Sequence, residues 1–575
     1  MATIRKGTAS EPVLSAVEWM PNRALFEDSR SLDRFAIGKV RERGSARWPA
    51  THSVPPIVEL WPEPIRRGGT PLNQPQDKAA LLSSRRNVLK TGAAFAGAAA
   101  LSPLHAFASQ TPARPQPAPR TNNPQIKIFD VLKYGAAGDG KTLDSAAFQR
   151  AIDEAAAYAG KAQVLVRGGR RYLVGTIELK GSIDFHLADD AELLISTNRE
   201  DYRGGLPGSQ NGDTMSAALG AVITATNAQG LTISGTGNIQ GRAKEFMTRY
   251  DDAGGIWMPG PFRPKMFVLT GCHDLVVRDI TFAEAPNWGL HMLGCDGVLV
   301  DNVKVRNLLD VPNCDGIDPD HSRNVEIRNC NITAGDDGVV IKCSRQPIDF
   351  GPAANIHVHD CVIETQDAGL KIGTETTSDI HDILFERCHI KTASRGLCIQ
   401  LRDEGNIHDI IFRDIAFTSR FYGDPWWGRG EAISFTAIPR TATGKVGSLH
   451  DVIVQNVTGT AENSVRVCGS EQSRVHDVVL DRVSVTLDRT TKFPGGLFDN
   501  RPTLPANGIQ PHDTPGFSIE HADSVTLHNC SVAWGANPPD AFSYAVEAID
   551  ATGLKIEGLK GEAAHASLGK AVSIS

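Results

Sequence analysis

Two short runs carry the residues best suited to chemistry, Asn313-Cys-Asp-Gly-Ile-Asp318 and Gly335-Asp-Asp-Gly-Val-Val-Ile-Lys342. Each places an aspartate directly before a glycine, at Asp315 and Asp337, and the second adds Asp336. Two later runs share the pattern, Gln366-Asp-Ala-Gly-Leu-Lys-Ile-Gly373 and Ser394-Arg-Gly-Leu-Cys-Ile-Gln400. If Gly316, Gly338, Gly369 and Gly396 hold one slot in successive turns of a repeat, then Asp315, Asp337, Ala368 and Arg395 stack, about 4.8 Å from turn to turn. Three carboxylates that close repel one another, which raises at least one pKa and sets a protonated acid beside ionised bases. Such a group suits cleavage of a glycosidic bond, where one carboxylic acid protonates the leaving oxygen and a carboxylate activates water. The same residues also serve as plain turn aspartates before glycine, and clustered carboxylates suit a hard cation such as Ca²⁺.

A repeat must hold these residues in place, and the sequence contains one. A phrase of a polar pair, an apolar–x–apolar strand, a second polar pair and another apolar–x–apolar step begins at His273 and Asp296. It recurs at Arg323, Ala354, His381, His408, His450, His476 and Asp523. Most copies are 23 to 31 residues apart, and the wide gaps after His408 and His476 predict loop insertions. Alternation within each phrase is the strand period of two. A fixed period built from short strands, with few of the Asn-Gly or Asp-Gly turns that close hairpins, predicts an all-β fold, a right-handed parallel β-helix wound as a single-stranded solenoid. Cys330, Cys361, Cys388 and Cys530 share one slot of the phrase with Ile280, Val303, Ile415, Val457 and Val483, which marks that slot as interior. Upstream, Asp144 is placed to N-cap a helix running to Ala155, expected to cover the open end of the solenoid.

The chain has 575 residues, ten cysteines and a net charge of −7. Mild acidity argues against a nucleic-acid partner, the cysteine count is far below that of a disulfide scaffold, and no apolar run reaches the roughly 20 residues of a membrane span. No C-x-x-C or H-x-x-x-H cluster of metal ligands appears, and no metal is expected. Arg85-Arg86, the small apolar stretch Thr91–Leu101 and Ala106-Phe-Ala108 form a signal segment of the twin-arginine type over 84–108. The expected location is therefore periplasmic or secreted, from a bacterium. Residues 1–83 show no helical or strand period and read as an unstructured extension or a miscalled start, 109–124 as a Pro- and Gln-rich linker, and 125–575 as the β-helix catalytic domain.

Tyr134-Gly-Ala-Ala-Gly-Asp-Gly140, Asn313-Cys-Asp-Gly-Ile-Asp-Pro-Asp320, Gly335-Asp-Asp337 and Arg395-Gly-Leu397, in this order and spacing over about 127–490, resemble glycoside hydrolase family 28, the polygalacturonases. The resemblance implies an inverting hydrolase of α-linked galacturonic acid in pectin, with no cofactor and a polysaccharide or oligosaccharide as its partner. It implies Asp336 as general acid, with Asp315 and Asp337 holding and activating water, and a carboxylate separation of about 6.5–9.5 Å is expected for inversion. Two family features are missing: Gln366-Asp-Ala368 stands where a G-H-G histidine belongs, and Cys398-Ile-Gln400 stands for R-I-K. Losing the Arg and Lys removes cations that read a substrate carboxylate. Asn313, Arg395, Lys371 and Gln400 are the remaining candidate substrate contacts, with Arg402 as a further cation. In the insertion at 420–440, Trp427 beside Trp426 offers a flat face for a sugar ring; Trp288 and His291 are weaker candidates. A pectin-like target other than plain polygalacturonate follows, acted on by a monomer. A Ca²⁺-dependent lyase and a non-catalytic carbohydrate-binding β-helix are the alternatives.

Overall fold

The computed structural model describes residues 126–203, 220–503 and 508–575. The N-terminal extension, signal segment and linker read from the sequence lie outside the described residues. Thirty-six strands join into one array that winds as a right-handed parallel β-helix with three faces. The first face stacks His273–Arg278, Asp296–Asp301, Arg323–Arg328, Ala353–His359 and Ile380–Glu386 in register. The second stacks the short strands Thr281–Ala283, Lys304–Arg306, Asn331–Ala334, Val362–Thr365 and His389–Ala393. The third carries β1 (Leu290–Leu293), β2 (Ile317–Asp320), β3 (Val339–Cys343), β4 (Ala368–Thr376), β5 (Arg395–Leu401), β6 (Glu431–Ala437) and β7 (Asn463–Cys468).

Parallel pairing turns each sequence slot into a column. On the first face Leu275, Val298, Val325, Ile356, Ile383 and Ile410 lie one above another, all buried. The cysteine slot is interior as expected: Cys330, Cys361, Cys388 and Cys530 are buried free thiols among the aliphatic residues that share their position. No coil can bury its apolar edge alone, so burial is continuous along the axis.

Between the first and second faces the chain must turn within one residue. Asp279, Asn302, Asn329, Asp360, Arg387, Asp414, Asn456, Arg482 and Asn529 do this with positive φ, between 49° and 67°. Asn and Asp visit this left-handed region most readily because their short polar side chains bond locally. That is the physical content of the second polar pair in the repeat.

The N-terminal helix α1 (Ser145–Ala157) buries Ala147, Phe148, Ala151, Ile152 and Ala155 against the first coils and closes that end. Asp144 occupies the N-cap position as expected, its carbonyl accepting from Ala147 and Phe148, but its side chain makes no capping bond. Its carboxylate instead accepts the N–H groups of Ala137 (2.7 Å) and Gly138 (3.1 Å), tying down the glycine turn before the helix. The two wide gaps in the repeat hold excursions: one leads through 420–430 to β6, and the other forms the antiparallel hairpin Leu497–Asp499 with Ile509–Pro511.

The corner column makes a test possible. Asn329→Val forces a β-branched residue into the left-handed region and is expected to cost about 1–2 kcal/mol. Asn329→Gly, which relieves the backbone but also loses the bond to Asp301, should cost clearly less. Thermal-denaturation midpoints of the two variants measure the difference, and equal losses would assign the cost to the side-chain bond instead of the corner.

Candidate active site

The third face builds the site. Asp315 precedes Gly316 and β2; Asp337 precedes Gly338 and β3. Pairing of Ile317 with Val339, Val339 with Leu370, and Ala368 with Arg395 puts Asp315, Asp337, Ala368 and Arg395 in one column, as the glycine spacing predicts. Glu431 and Asn463 continue it. The coils approach closely here. A Cβ on Gly316 would lie 2.3 Å from the carbonyl oxygen of Gly338, and one on Gly338 would lie 2.7 Å from that of Gly369. Glycine in this slot is what lets the aspartates before it meet.

Asp315, Asp336 and Asp337 converge, with one carboxylate oxygen from each within 4.8 Å of the others. Asp336 accepts the backbone N–H of Asn313 (2.9 Å) and of Asp337 (3.0 Å). Asp337 pairs with the ammonium of Lys371 from the next coil at 2.8 Å. Asp315 pairs with Lys342 at 3.0 Å, and Lys342 also reaches Asp318 at 3.1 Å. Asp315 Oδ1 is buried with no protein partner among the described residues.

Burial pushes the Asp336 carboxyl well above its usual range, and the charges of Asp315 and Asp337 push it further. Burial raises Asp337 to about 7, against the pull of Lys371 and with help from Asp367 and Asp315. Burial and the nearby Asp315 also raise Asp318, against Lys342. Burial opposes the charges of both lysines, yet their carboxylate partners hold Lys342 and Lys371 above the ordinary lysine value. The group therefore holds an acid that keeps its proton beside carboxylates with dedicated cations.

The other candidates from the sequence divide. Asn313 Oδ1 accepts from Arg263 at 3.0 Å, and its own N–H orients Asp336. Trp427 is half-buried, with its ring 5.9 Å from the Lys371 ammonium, so the 420–430 excursion borders the site, while Trp426 is buried. Arg395 is fully buried between Asp367 (3.2 Å), Glu431 (3.9 Å) and Asp499 (3.8 Å). Gln400 is buried too, donating to the carbonyl of Arg501 at 2.9 Å. Arg402 donates only to neutral groups, the carbonyls of Leu401 (3.0 Å) and Asn500 (3.2 Å) and Thr436 Oγ1 (3.0 Å). Burial, with Arg440 and Arg395 nearby, lowers it to about 9.

Sequence reasoning did not single out Lys342, Asp318 or Lys265. The ammonium groups of Lys265 and Lys342 each lie 3.6 Å from the Trp288 ring centroid. His291, bonded to Asp320 at 3.0 Å, is lowered to about 4 by burial and by Lys265. The alternation of β3 holds the signal for Lys342: it follows Ile341, an interior residue, and so faces outward.

A model of glycosyl hydrolases family 28 matches residues 175–494. A probable polygalacturonase of Vitis vinifera is 28% identical over 268 residues, 44% of this chain and 53% of that protein. An exopolygalacturonase of Zea mays is 28% identical over 220 residues, 37% of this chain and 48% of that one. The chain thus spans about half the length of the curated relatives it matches. Among solved structures, a hyperthermoactive exopolygalacturonase from Thermotoga maritima superposes with a TM-score of 0.56 at 20% identity, covering 71% of this chain and 93% of that one. The family 28 exopolygalacturonase of Yersinia enterocolitica gives a TM-score of 0.52 at 16% identity, covering 76% and 79%. These two support the fold.

The Lys371–Asp337 pair sets a stability test. Lys371→Met strips a buried carboxylate of its cation, which costs about 3–5 kcal/mol when the carboxylate is ionised. A carboxyl whose folded pKa is raised loses stability as pH rises through that value, and the variant raises Asp337 further. The loss should be larger at pH 8 than at pH 5 in denaturation curves of the full chain. A loss independent of pH would show that the pair contributes packing alone.

Proposed function

The chain belongs to glycosyl hydrolases family 28, and from that membership we propose that it is an exported inverting hydrolase of α-glycosidic, galacturonic acid-type linkages in pectin or a related polysaccharide. The observation that carries the reading is the half-buried Asp336, raised well above the carboxylate range and lying beside two buried carboxylates that each have their own lysine. Asp336 gives its proton to the glycosidic oxygen as the bond to the anomeric carbon breaks. Asp315 and Asp337, anchored by Lys342 and Lys371, orient a water, and Asp337 in its ionised form takes the proton as the water attacks that carbon. Water between two anchored bases is preorganised, which lowers the entropic part of the barrier.

The carboxylates approach within 4.8 Å at their nearest oxygens, tighter than the expected 6.5–9.5 Å. Inversion is accordingly inferred from family membership and not from spacing. Two lysines already neutralise the cluster, which favours hydrolysis over a Ca²⁺-dependent lyase.

The substrate is read as a pectic chain other than plain polygalacturonate. Lys371 and Arg395 are committed to protein carboxylates, and Arg402 is the candidate cation whose hydrogen bonds among the described residues are all to neutral groups. Trp427, on the 420–430 excursion, supplies a ring face beside Lys371. The signal segment at 84–108 supports export to the periplasm or medium, and among the described residues no helix is long and apolar enough to cross a membrane. A monomer suits a solenoid whose substrate face is built from one chain.

The deciding experiment incubates the full chain with pectic oligosaccharides and follows reducing ends and anomeric signals by NMR. New reducing ends whose first-formed anomer is β are expected from an α-linked substrate, and Asp336→Asn should lower kcat by at least about 10³-fold with the fold intact. An unsaturated product would identify a lyase, and binding without cleavage would identify a carbohydrate-binding protein. In the pH profile, Lys371→Met should move the acid limb of kcat/KM upward because it raises Asp337, and Lys371→Arg should largely restore it.

A further inference from the structure

On the first face, away from the acid group, one outward column holds histidine in four successive coils. His381 lies beside His408, and His450 beside His476. Neighbouring ring centroids are 5.1, 5.2 and 4.7 Å apart along the series, with planes within 2°, 5° and 7° of parallel. The column ends at Ala354 on one side and at Asp523, engaged by Arg474 and Thr552, on the other.

Each histidine is followed by an aspartate with positive φ: Asp382, Asp409, Asp451 and Asp477. The bend turns each carboxylate back on its own histidine, with Oδ2 2.9, 2.9, 2.8 and 2.9 Å from Nδ1. A carboxylate only accepts, so Nδ1 carries the hydrogen and Nε2 of the neutral ring keeps its lone pair. Among the described residues no group bonds any of the four Nε2 atoms, and these side chains are 25% to 39% exposed. A carboxylate fixing the tautomer and orientation of an imidazole is the outer shell that metal-binding histidines ordinarily have. Here the fold repeats it four times on one line.

We propose that this ladder is a surface site for first-row divalent ions that favour imidazole, Zn²⁺, Cu²⁺ and Ni²⁺, each ion held by the Nε2 atoms of histidines in neighbouring coils. Two bonds of about 2.0–2.1 Å at a tetrahedral centre need nitrogens about 3.3 Å apart. Parallel rings about 5 Å apart hold their Nε2 lone pairs parallel, so neighbouring rings must also turn about χ1 and χ2 until the lone pairs converge on the ion, giving up the stack, which part-exposed side chains permit. Water completes the coordination, and four rings take at most two ions. Hard cations such as Ca²⁺ and Mg²⁺ prefer oxygen and find no such site on the ladder.

The test uses the full chain without a histidine tag. Calorimetric titration with Zn²⁺ should show one to two ions bound, and Cu²⁺ spectra by electron paramagnetic resonance should show coupling to imidazole nitrogen. His408→Asn with His450→Asn, which leaves no two adjacent histidines, should abolish the nitrogen coupling and weaken Zn²⁺ binding at least about 10-fold. Asp409→Asn with Asp451→Asn keeps all four rings and should weaken binding about 10-fold through lost orientation. Unchanged titration and spectra in the histidine variant would overturn the proposal and move any bound ion elsewhere, for instance to the three aspartates. Hydrolytic activity should be the same in both variants, which keeps this outcome separate from that of the proposed function.

Discussion

Every feature of this molecule follows from one spacing: parallel coils stack with backbone hydrogen bonds between them, so each side chain sits about 4.8 Å from its counterpart in the next coil. For apolar residues the repetition is favourable, and columns such as Leu275 to Ile410 form a continuous buried interior along the axis. Flat rings also gain, as Phe385 and Phe412 do at 4.8 Å. For the backbone it imposes a bend at the same place in every coil, and the left-handed Asn and Asp residues answer that demand. For charged residues the same repetition is hostile.

The carboxylates show how the hostility is contained. Two ionised carboxylates at 4.8 Å repel by about 3.5 kcal/mol at an effective dielectric of 20. The fold relieves this in two ways. One acid, Asp336, retains its proton, and the other two take an ammonium from the next coil, Lys342 for Asp315 and Lys371 for Asp337. The lysines reach across because β3 and β4 present them outward, one coil beyond the acid each serves. A site held this way is unequal by construction, and inequality among neighbouring carboxyl groups is what acid–base chemistry requires. Repulsion and reactivity have the same source.

Much of this was legible in the sequence, for a physical reason. The period of two inside each phrase and the recurrence of about 27 residues specify a solenoid, because register here is a property of the repeat and not of distant pairing. The glycine slot placed Asp315 and Asp337 together, since glycine is needed wherever coils touch backbone to backbone. Partner choice among the charges was less accessible. Arg395 looked like a substrate contact, but Asp499, a hundred residues later, comes back over it from a hairpin that the repeat does not encode. Asp144 is the helix N-cap that the sequence indicates, yet its carboxylate is drawn to the Ala137–Gly138 turn, a contact between loops of no fixed period. Periodic contacts can be read from one chain; contacts made by excursions need the coordinates.

That distinction bears on the residues in which this chain departs from its family. The missing histidine and the Cys398-Ile-Gln400 run first look like a loss of function, because each removes a group of known chemical use. In the folded chain both lie next to a long cation in the neighbouring slots. Lys371 stands outward in β4 and supplies positive charge to Asp337. Cys398, paired with Lys371 across the two strands, leaves the space of a small side chain. Because the hydrogen-bond partners of Arg402 among the described residues are all neutral, its buried charge is less compensated than that of Arg395, which has three carboxylates around it. Lys371 carries its charge one coil before Cys398, and Arg402 lies beyond Gln400 in the sequence, so positive charge is presented from different positions. On the proposed reading, the cations stand in other positions around the same three acids, which bears on the chain that is bound and not on the groups that would cleave it.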